Sequence, residues 1–338
     1  MTETRFDVLA IGNAIVDVLA HADDAFLTEH RIEKGAMTLV DEARAQRIYD
    51  GMPPGIEISG GSVANTAVGL ASLGGRAAYM GKVRDDQLGG VFAHDIRAAG
   101  VAYDTPPARG GPSSARCLIV VTPDAQRSMN TYLGAAVEFS TSDLDADAIA
   151  AAQVTYLEGY LYDPPEAKRA LEKAAALAKT AGRKVALTLS DAFCVDRHRA
   201  DFQNLIDNYV DILFANEQEV MSLYEVAAFD DALQAVRGHC AVAALTRSGA
   251  GSVVLGDGEV HVIDAEPVDE LVDTTGAGDL YAAGFLFGIT HGADLATCGA
   301  LGSVAAAEVI SHFGARPEVG LKDLMAAKGF MVRDLMLS

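Results

Sequence analysis

Asp273-Thr274-Thr275-Gly276-Ala277-Gly278-Asp279 runs straight into Leu280-Tyr281-Ala282-Ala283-Gly284-Phe285-Leu286-Phe287-Gly288. Leu280, Gly284 and Phe287 recur at helical spacing, so a turn of small residues opens into a buried helix whose first turn carries Asp279. The N–H groups of Gly276, Ala277 and Gly278 are expected to be free at the helix start, and the two glycines let the backbone approach a ligand without an intervening Cβ. With the helix dipole behind it, such a turn holds an anion and suits charge developing on a phosphoryl group. Asp279 stands beside that charge. Taken alone, Gly-Ala-Gly-Asp is also an ordinary tight turn with an acid near the helix start, which stabilises many helices.

Working outward, the bulk properties bound what this turn serves. The 338 residues suffice for one large α/β domain or two smaller ones. A formal charge of −21 argues against a nucleic-acid partner, because binding a phosphate backbone relies on Lys and Arg. A nucleotide phosphate must then be held by local amides, a metal and a few placed cations. Cys117, Cys194, Cys240 and Cys298 are scattered without zinc spacing and read as reduced thiols. The polar start Met1 to Phe6 and the lack of an apolar run of about 18 residues lead to the expectation of a soluble, cytoplasmic protein.

Two common routes to nucleotide binding are missing. The first strand-like run, Asp7 to Ile11, ends in Gly12-Asn13 without GxGxxG, and Gly81-Lys82 is followed by Val83, so there is no P-loop. The first strand is instead expected to continue as Ala14 to Leu19, where Asp17 interrupts apolar residues and needs hydrogen-bond donors. A weak alternation from Phe26 to Val40 suggests part of a small sheet. Gly60-Gly61-Ser62 opens a helix running to about Leu73, with Ser62 as its expected N-cap and Gly74-Gly75 as its stop. A hairpin is expected from Ala115–Thr122 and Ser128–Leu133, with Arg127 at its tip. From Val154 to Ala215 strands alternate with helices of crossover length, which implies a parallel sheet covered on both faces. Asn216-Glu217-Gln218-Glu219 reads locally as a helix N-cap with acids in the first turn.

The string Asp-Thr-Thr-Gly-Ala-Gly-Asp with its Ala/Gly/Phe helix resembles the C-terminal signature of the ribokinase-like (PfkB) family of small-molecule kinases, and Gly60-Gly61-Ser-x-x-Asn65-Thr-Ala resembles its N-terminal signature. The resemblance spans Asp7 to about Gly314. It implies a three-layer α/β sandwich with a mainly parallel central sheet, plus a small β-sheet lid inserted from segments 15–40 and 106–137 of a single 1–338 domain. It also implies a phosphotransferase that uses ATP and Mg²⁺. Asp279 would be the base that takes the acceptor's proton, and Gly276, Ala277 and Gly278 the anion hole. Asp17, Gly60, Gly61 and Asn65 would hold the acceptor, the carboxylate of Asp17 suiting a vicinal diol. Asn216 and Glu219 match the family's N-x-x-E motif and would orient magnesium, Glu219 through water.

Thr246, Gly249 and Gly251 resemble the family's nucleotide loop, although the glycines here are only two apart. Asp273 and Thr275 lie where several relatives hold a monovalent cation, so potassium is a further expectation, and Thr275 also counts toward the nucleotide. The phrase around Arg127 resembles the lid hairpin of the adenosine-kinase branch, whose Arg reaches the transferring phosphate. Gly12-Asn13-x-x-x-Asp17 matches that branch too and adds Asn13 to the acceptor residues. A base pocket is expected from Tyr132, Leu133 and Phe139. The resulting expectation is transfer of the γ-phosphoryl group of ATP to the primary hydroxyl of a nucleoside, adenosine first. A ribose or fructose kinase and a non-catalytic binding module on the same fold stand as alternatives, and no membrane partner is expected. Monomer and homodimer both remain open.

Overall fold

The computed structural model describes residues 4–330 apart from 125 and 257. In chain order its first strands are β1 (Phe6–Ile11), β2 (Ile15–His21), β3 (Met37–Leu39), β4 (Ile56–Gly60), β5 (Ala77–Met80), β6 (Ala102–Tyr103), β7 (Ala115–Val121) and β8 (Arg127–Tyr132). They are followed by β9 (Ala152–Glu158), β10 (Lys184–Thr188), β11 (Ile212–Asn216), β12 (Val242–Thr246), β13 (Ser252–Gly256) and β14 (Glu259–Ile263). The helices are α1 (Asp24–Glu29), α2 (Glu42–Gly51), α3 (Ser62–Ser72), α4 (Gln87–Ala98), α5 (Ala146–Ala150) and α6 (Pro165–Thr180). Then come α7 (Ala192–Asn208), α8 (Glu217–Tyr224), α9 (Phe229–Val236), α10 (Ala277–Thr290), α11 (Leu295–Val309) and α12 (Leu321–Ala327).

Nine strands form one sheet in the order β14-β13-β12-β11-β10-β9-β1-β5-β6, parallel from β12 to β6 and antiparallel only at β13 and β14. Its strands are apolar on both faces, as a doubly covered parallel sheet requires. Val8 and Ala10 join a core with α3, α4, α10 and α11, while Leu9 and Ile11 join a second core with α5, α6, α7 and α8. This gives the expected three layers. The α10 helix is apolar all round and every residue from Leu280 to Gly288 is buried, so its placement follows from burial alone. Phe285 and Phe287 each contribute roughly 1.5–3 kcal/mol by leaving water. Gly284 lets α11 approach, since a Cβ there would lie 2.4 Å from Leu301 O.

The second sheet has the order β3-β8-β7-β2-β4 and corrects two expectations. Ala14 to Leu19 does not prolong the first strand: the chain leaves the large sheet at Gly12 and β2 pairs with β4 and β7. The Phe26 to Val40 stretch is the short helix α1 followed by β3, because Asp23 caps a helical turn there. Strand β4 was unread in the sequence, its apolar residues being merged into the helix signature that follows. The same holds for β14, whose Val260 and Val262 are exposed on the sheet's edge. Asp86 caps α4 and also accepts from Ser114 N at 2.8 Å and Ser114 Oγ at 2.7 Å at the entry to β7.

Candidate active site

Parallel strands all deliver their C-terminal ends to one edge of the sheet, and in open α/β sheets that edge is where ligands bind. Here it collects Asn13 after β1, Glu158 at the end of β9, Thr188 at the end of β10, and Asn216 opposite Thr246. A cavity of about 220 Å³ opens there, lined among others by Ser62, Thr188, Ser190, Asn216, Glu219, Thr246, Thr274, Gly276, Gly278 and Asp279. It is smaller than the roughly 300–1,000 Å³ of whole-ligand pockets, a size that suits the phosphate end of a nucleotide.

Gly276 sits before α10 in the left-handed region, at φ 80°, and turns the chain into the helix. The expected set of free amides needs one correction: Ala277 N–H donates to Thr274 O at 3.2 Å. The Gly276, Gly278 and Asp279 amides have no protein acceptor among the described residues, and nothing lies within 4 Å of where a Cβ on Gly278 would be. The helix start is therefore open to an anion.

Asp279 lines the cavity from one side and meets α3 on the other. Ser62 Oγ donates to Asp279 Oδ1 at 2.7 Å and Asn65 Nδ2 to Asp279 Oδ2 at 2.9 Å. Ser62 therefore does not cap α3; Gly61 occupies that position without a side-chain cap, and the freed hydroxyl points at the carboxylate. Burial pushes the Asp279 carboxyl up to about 6, against the pull of Asn65, Ser62 and Arg316. It is ionised at neutral pH yet basic enough to take a proton.

Asp17 lies on β2, close enough to Asp279 for their charges to interact. Gly60 crosses directly over it, since a Cβ there would come within 2.3 Å of Asp17 Oδ2. Burial likewise raises Asp17 to about 6, with Arg316 and Arg127 lowering it and Asp279 raising it. Asn13 Nδ2 donates to Glu158 Oε1 at 2.7 Å, and Asn13 Oδ1 and Asn65 Oδ1 are buried acceptors with no partner among the described residues. Buried orphan acceptors beside a carboxylate fit a ligand that brings hydroxyl donors.

Arg127 is the first residue of β8 rather than the tip of the hairpin. Its guanidinium pairs with Asp273 and donates to Thr275 Oγ1 at 3.3 Å, at the base of the anion turn. Asp273 Oδ1 also accepts from Thr275 N at 3.0 Å and Thr275 Oγ1 at 2.7 Å, and Oδ2 accepts from Gly314 N at 3.0 Å. Asn216 and Glu219 form a reciprocal capping box on α8. Burial holds Glu219 near 7, against the donor of Asn216 N. Gly249 and Gly251 do not line the cavity. Gly251, at φ 79°, is fixed by its neighbours, as a Cβ would lie 2.0 Å from Ile263 O.

Of the expected base pocket, Phe139 takes no part, while Tyr132 and Leu133 line a separate cavity with Leu39, Val40 and Pro112. Phe139 is buried in the core under α6, and Tyr132 is turned to the face of its sheet opposite Thr131, with Arg116 over its ring. Two polar residues went unread in the sequence. Glu158, fully buried, accepts from Asn13 N and from Val63 N, each at 3.2 Å, and burial lifts it to about 7. Arg316 donates to Ser59 and Ala64 and acts on both Asp17 and Asp279. A signal existed for Glu158, an acid closing an apolar strand before Gly159; Arg316 is a single cation in a Gly/Ala stretch.

Residues 57–319 match the pfkB family carbohydrate kinase description. The chain belongs to the pfkB family. Among solved structures, this pfkB kinase is similar to the adenosine kinase of Sinorhizobium meliloti, at 53% identity and TM-score 0.88 over 96% of this chain and 100% of that one. It is likewise similar to a probable sugar kinase of Rhizobium etli, at 50% identity and TM-score 0.89 over 97% and 100%. Among curated proteins, a nucleoside kinase of Methanothermobacter thermautotrophicus is 28% identical over 322 residues, 94% of each chain. As a pfkB kinase the chain is a phosphotransferase that uses ATP and acts on a hydroxyl group of a nucleoside or sugar. Magnesium is typical of the family. No cluster of three His, Cys, Asp or Glu suited to a metal occurs among the described residues. Among the described residues no helix is long and apolar enough to cross a membrane.

Proposed function

We propose that this kinase phosphorylates the primary 5′ hydroxyl of a nucleoside, adenosine first. The observation that carries this reading is the setting of Asp17. Ile15 and Leu19 flank it on β2, and Cys117, Ile119, Val121 and Met129 continue the same sheet face as one apolar cluster. A free sugar offers polar groups all round, whereas a nucleoside offers a diol at one end and a flat, largely apolar base at the other. Asp17 would take the diol and the apolar strip the base. The names of the adenosine kinases of Sinorhizobium meliloti and Saccharomyces cerevisiae support the same choice, while the Rhizobium etli name favours a sugar.

In this mechanism Asn13, Asp17 and Asn65 hold the acceptor so that its primary hydroxyl meets Asp279, which takes the proton as the new bond forms. Phosphoryl transfer has a loose transition state, so positioning and charge stabilisation supply most of the rate. The Gly276 and Gly278 amides meet the growing charge, joined by Arg127 once it turns from Asp273. Magnesium would supply further positive charge on the phosphates, with Glu219 and Asn216 ordering its water. Potassium beside Asp273 would have to displace Arg127, so rates in potassium against tetramethylammonium chloride read whether it does.

The test is ADP release with ATP and magnesium from adenosine, inosine, guanosine, ribose and fructose. Adenosine should be turned over with the highest kcat/KM; preference for ribose or fructose overturns the nucleoside reading in favour of a sugar kinase.

A further inference from the structure

The segment Gly314-Ala315-Arg316 touches both signature turns at once. Gly314 N–H donates to Asp273 Oδ2, and Ala315 packs so tightly on Gly276 that a Cβ there would lie 2.8 Å from Ala315 Cβ. On the other side Arg316 Nε donates to Ser59 O at 3.1 Å, Nη1 to Ala64 O at 3.1 Å and Nη2 to Ser59 Oγ at 3.0 Å. Ser59 precedes Gly60 and Gly61, and Ala64 precedes Asn65. Ser59 is fully buried and also held from α4, its N–H and hydroxyl donating to Asp95 Oδ2 at 2.8 and 2.6 Å. One three-residue segment therefore spans from the turn that faces the phosphate to the turn that faces the acceptor.

We propose that Arg316 is a positioning residue that sets the Gly60–Asn65 segment, and with it Asp17, in register with Asp279 and the anion turn. It hydrogen-bonds none of the groups assigned to the reaction, so its action runs through the backbone it grips. A planar fork reaches two carbonyls and a hydroxyl in fixed directions from one stem, whereas the three donors of an ammonium all radiate from one nitrogen. The charge has a second use, because three carboxylates, Asp17, Asp95 and Asp279, face the guanidinium. Arg316 acts on both Asp17 and Asp279. The inference rests on the acceptor and phosphate sides assigned above.

The test compares Arg316→Gln and Arg316→Lys with the wild type, in steady-state kinetics with each substrate varied and in amide hydrogen exchange on the ligand-free protein. Loss of the fork should raise the acceptor KM of Arg316→Gln roughly tenfold to a hundredfold, leave the ATP KM within about twofold, and be partly reversed in Arg316→Lys. Exchange in residues 59–66 should quicken while β9 to β11 stay protected. A merely structural arginine would move both KM values together or loosen the whole fold, and either result overturns the proposal, as does an unchanged acceptor KM in a folded variant. If Arg316→Gln fails to fold, the Lys variant carries the same comparison. If the wild type turns over no member of the acceptor panel, the substrate reading has failed, and exchange in residues 59–66 still decides the role of Arg316: unchanged protection there refutes it.

Discussion

Replacing Asp279 by Asn should yield a protein that is more stable and nearly inactive. The contacts survive the change: Asn65 Nδ2 can still donate to the side-chain oxygen, and the Ser62 hydroxyl can turn to accept from the new amide. What disappears is a buried charge. Burial moves the Asp279 carboxyl from 3.8 to about 6, and at about 1.4 kcal/mol per pH unit its ionisation costs the fold at most about 3 kcal/mol at pH 8. Because the folded pKa lies above the unfolded one, this cost is absent below pH 3.8 and grows as pH rises through 6. Asp279→Asn should therefore gain about 3 kcal/mol over wild type in denaturant melts at pH 8, about half of that at pH 5, and almost nothing by about pH 3. Turnover measured by ADP release should fall roughly 10²–10⁴-fold. A stability difference that does not vary with pH would refute the buried-charge argument, and turnover within tenfold of wild type would remove Asp279 from the role of base.

Three further outcomes follow from the same geometry. Gly60→Ala drives a Cβ into the Asp17 carboxylate, so the acceptor KM should rise more than tenfold with the ATP KM held, and a normal acceptor KM would show that Asp17 does not contact the acceptor. Arg127→Ala should slow turnover with little change in nucleotide affinity, whereas an unchanged rate would return Arg127 to the Asp273 ion pair as its whole purpose. Finally, kcat/KM should decline as pH falls through about 6, where Asp17 and Asp279 both take up protons. A profile that stays flat to pH 5 counts against both assignments.

What could be read in the sequence was what repeats a local physical rule. The helix after Gly278 announced itself by apolar residues on every face, and the crossover helices by their length between short apolar runs. Asp17 stood out because a lone acid in an apolar run needs partners. The same criterion applied to Glu158 would have found it at the end of β9, where it ties Asn13 to Val63. Ser62 was misassigned because a hydroxyl at a helix start has two uses, capping and reaching across; only the packing of α3 on α10 decides between them. The second sheet was only half visible, since β3 and β4 are short edge strands whose pairing depends on distant β8 and β2. Arg316 was invisible for a related reason: its partners are main-chain carbonyls some 250 positions earlier, which leave no imprint on side-chain pattern.

Of the four places where the chain passes between the two sheets, the first two touch. The chain crosses from β1 to β2 by way of Gly12, Asn13 and Ala14, and returns from β4 to α3 at Gly61, where a Cβ would collide with Asn13 O at 2.2 Å. Outbound and returning chains thus rest on each other at a residue whose side-chain oxygen has no donor among the described residues. A ligand that donates to Asn13 Oδ1 would therefore bear directly on the contact between the two crossings.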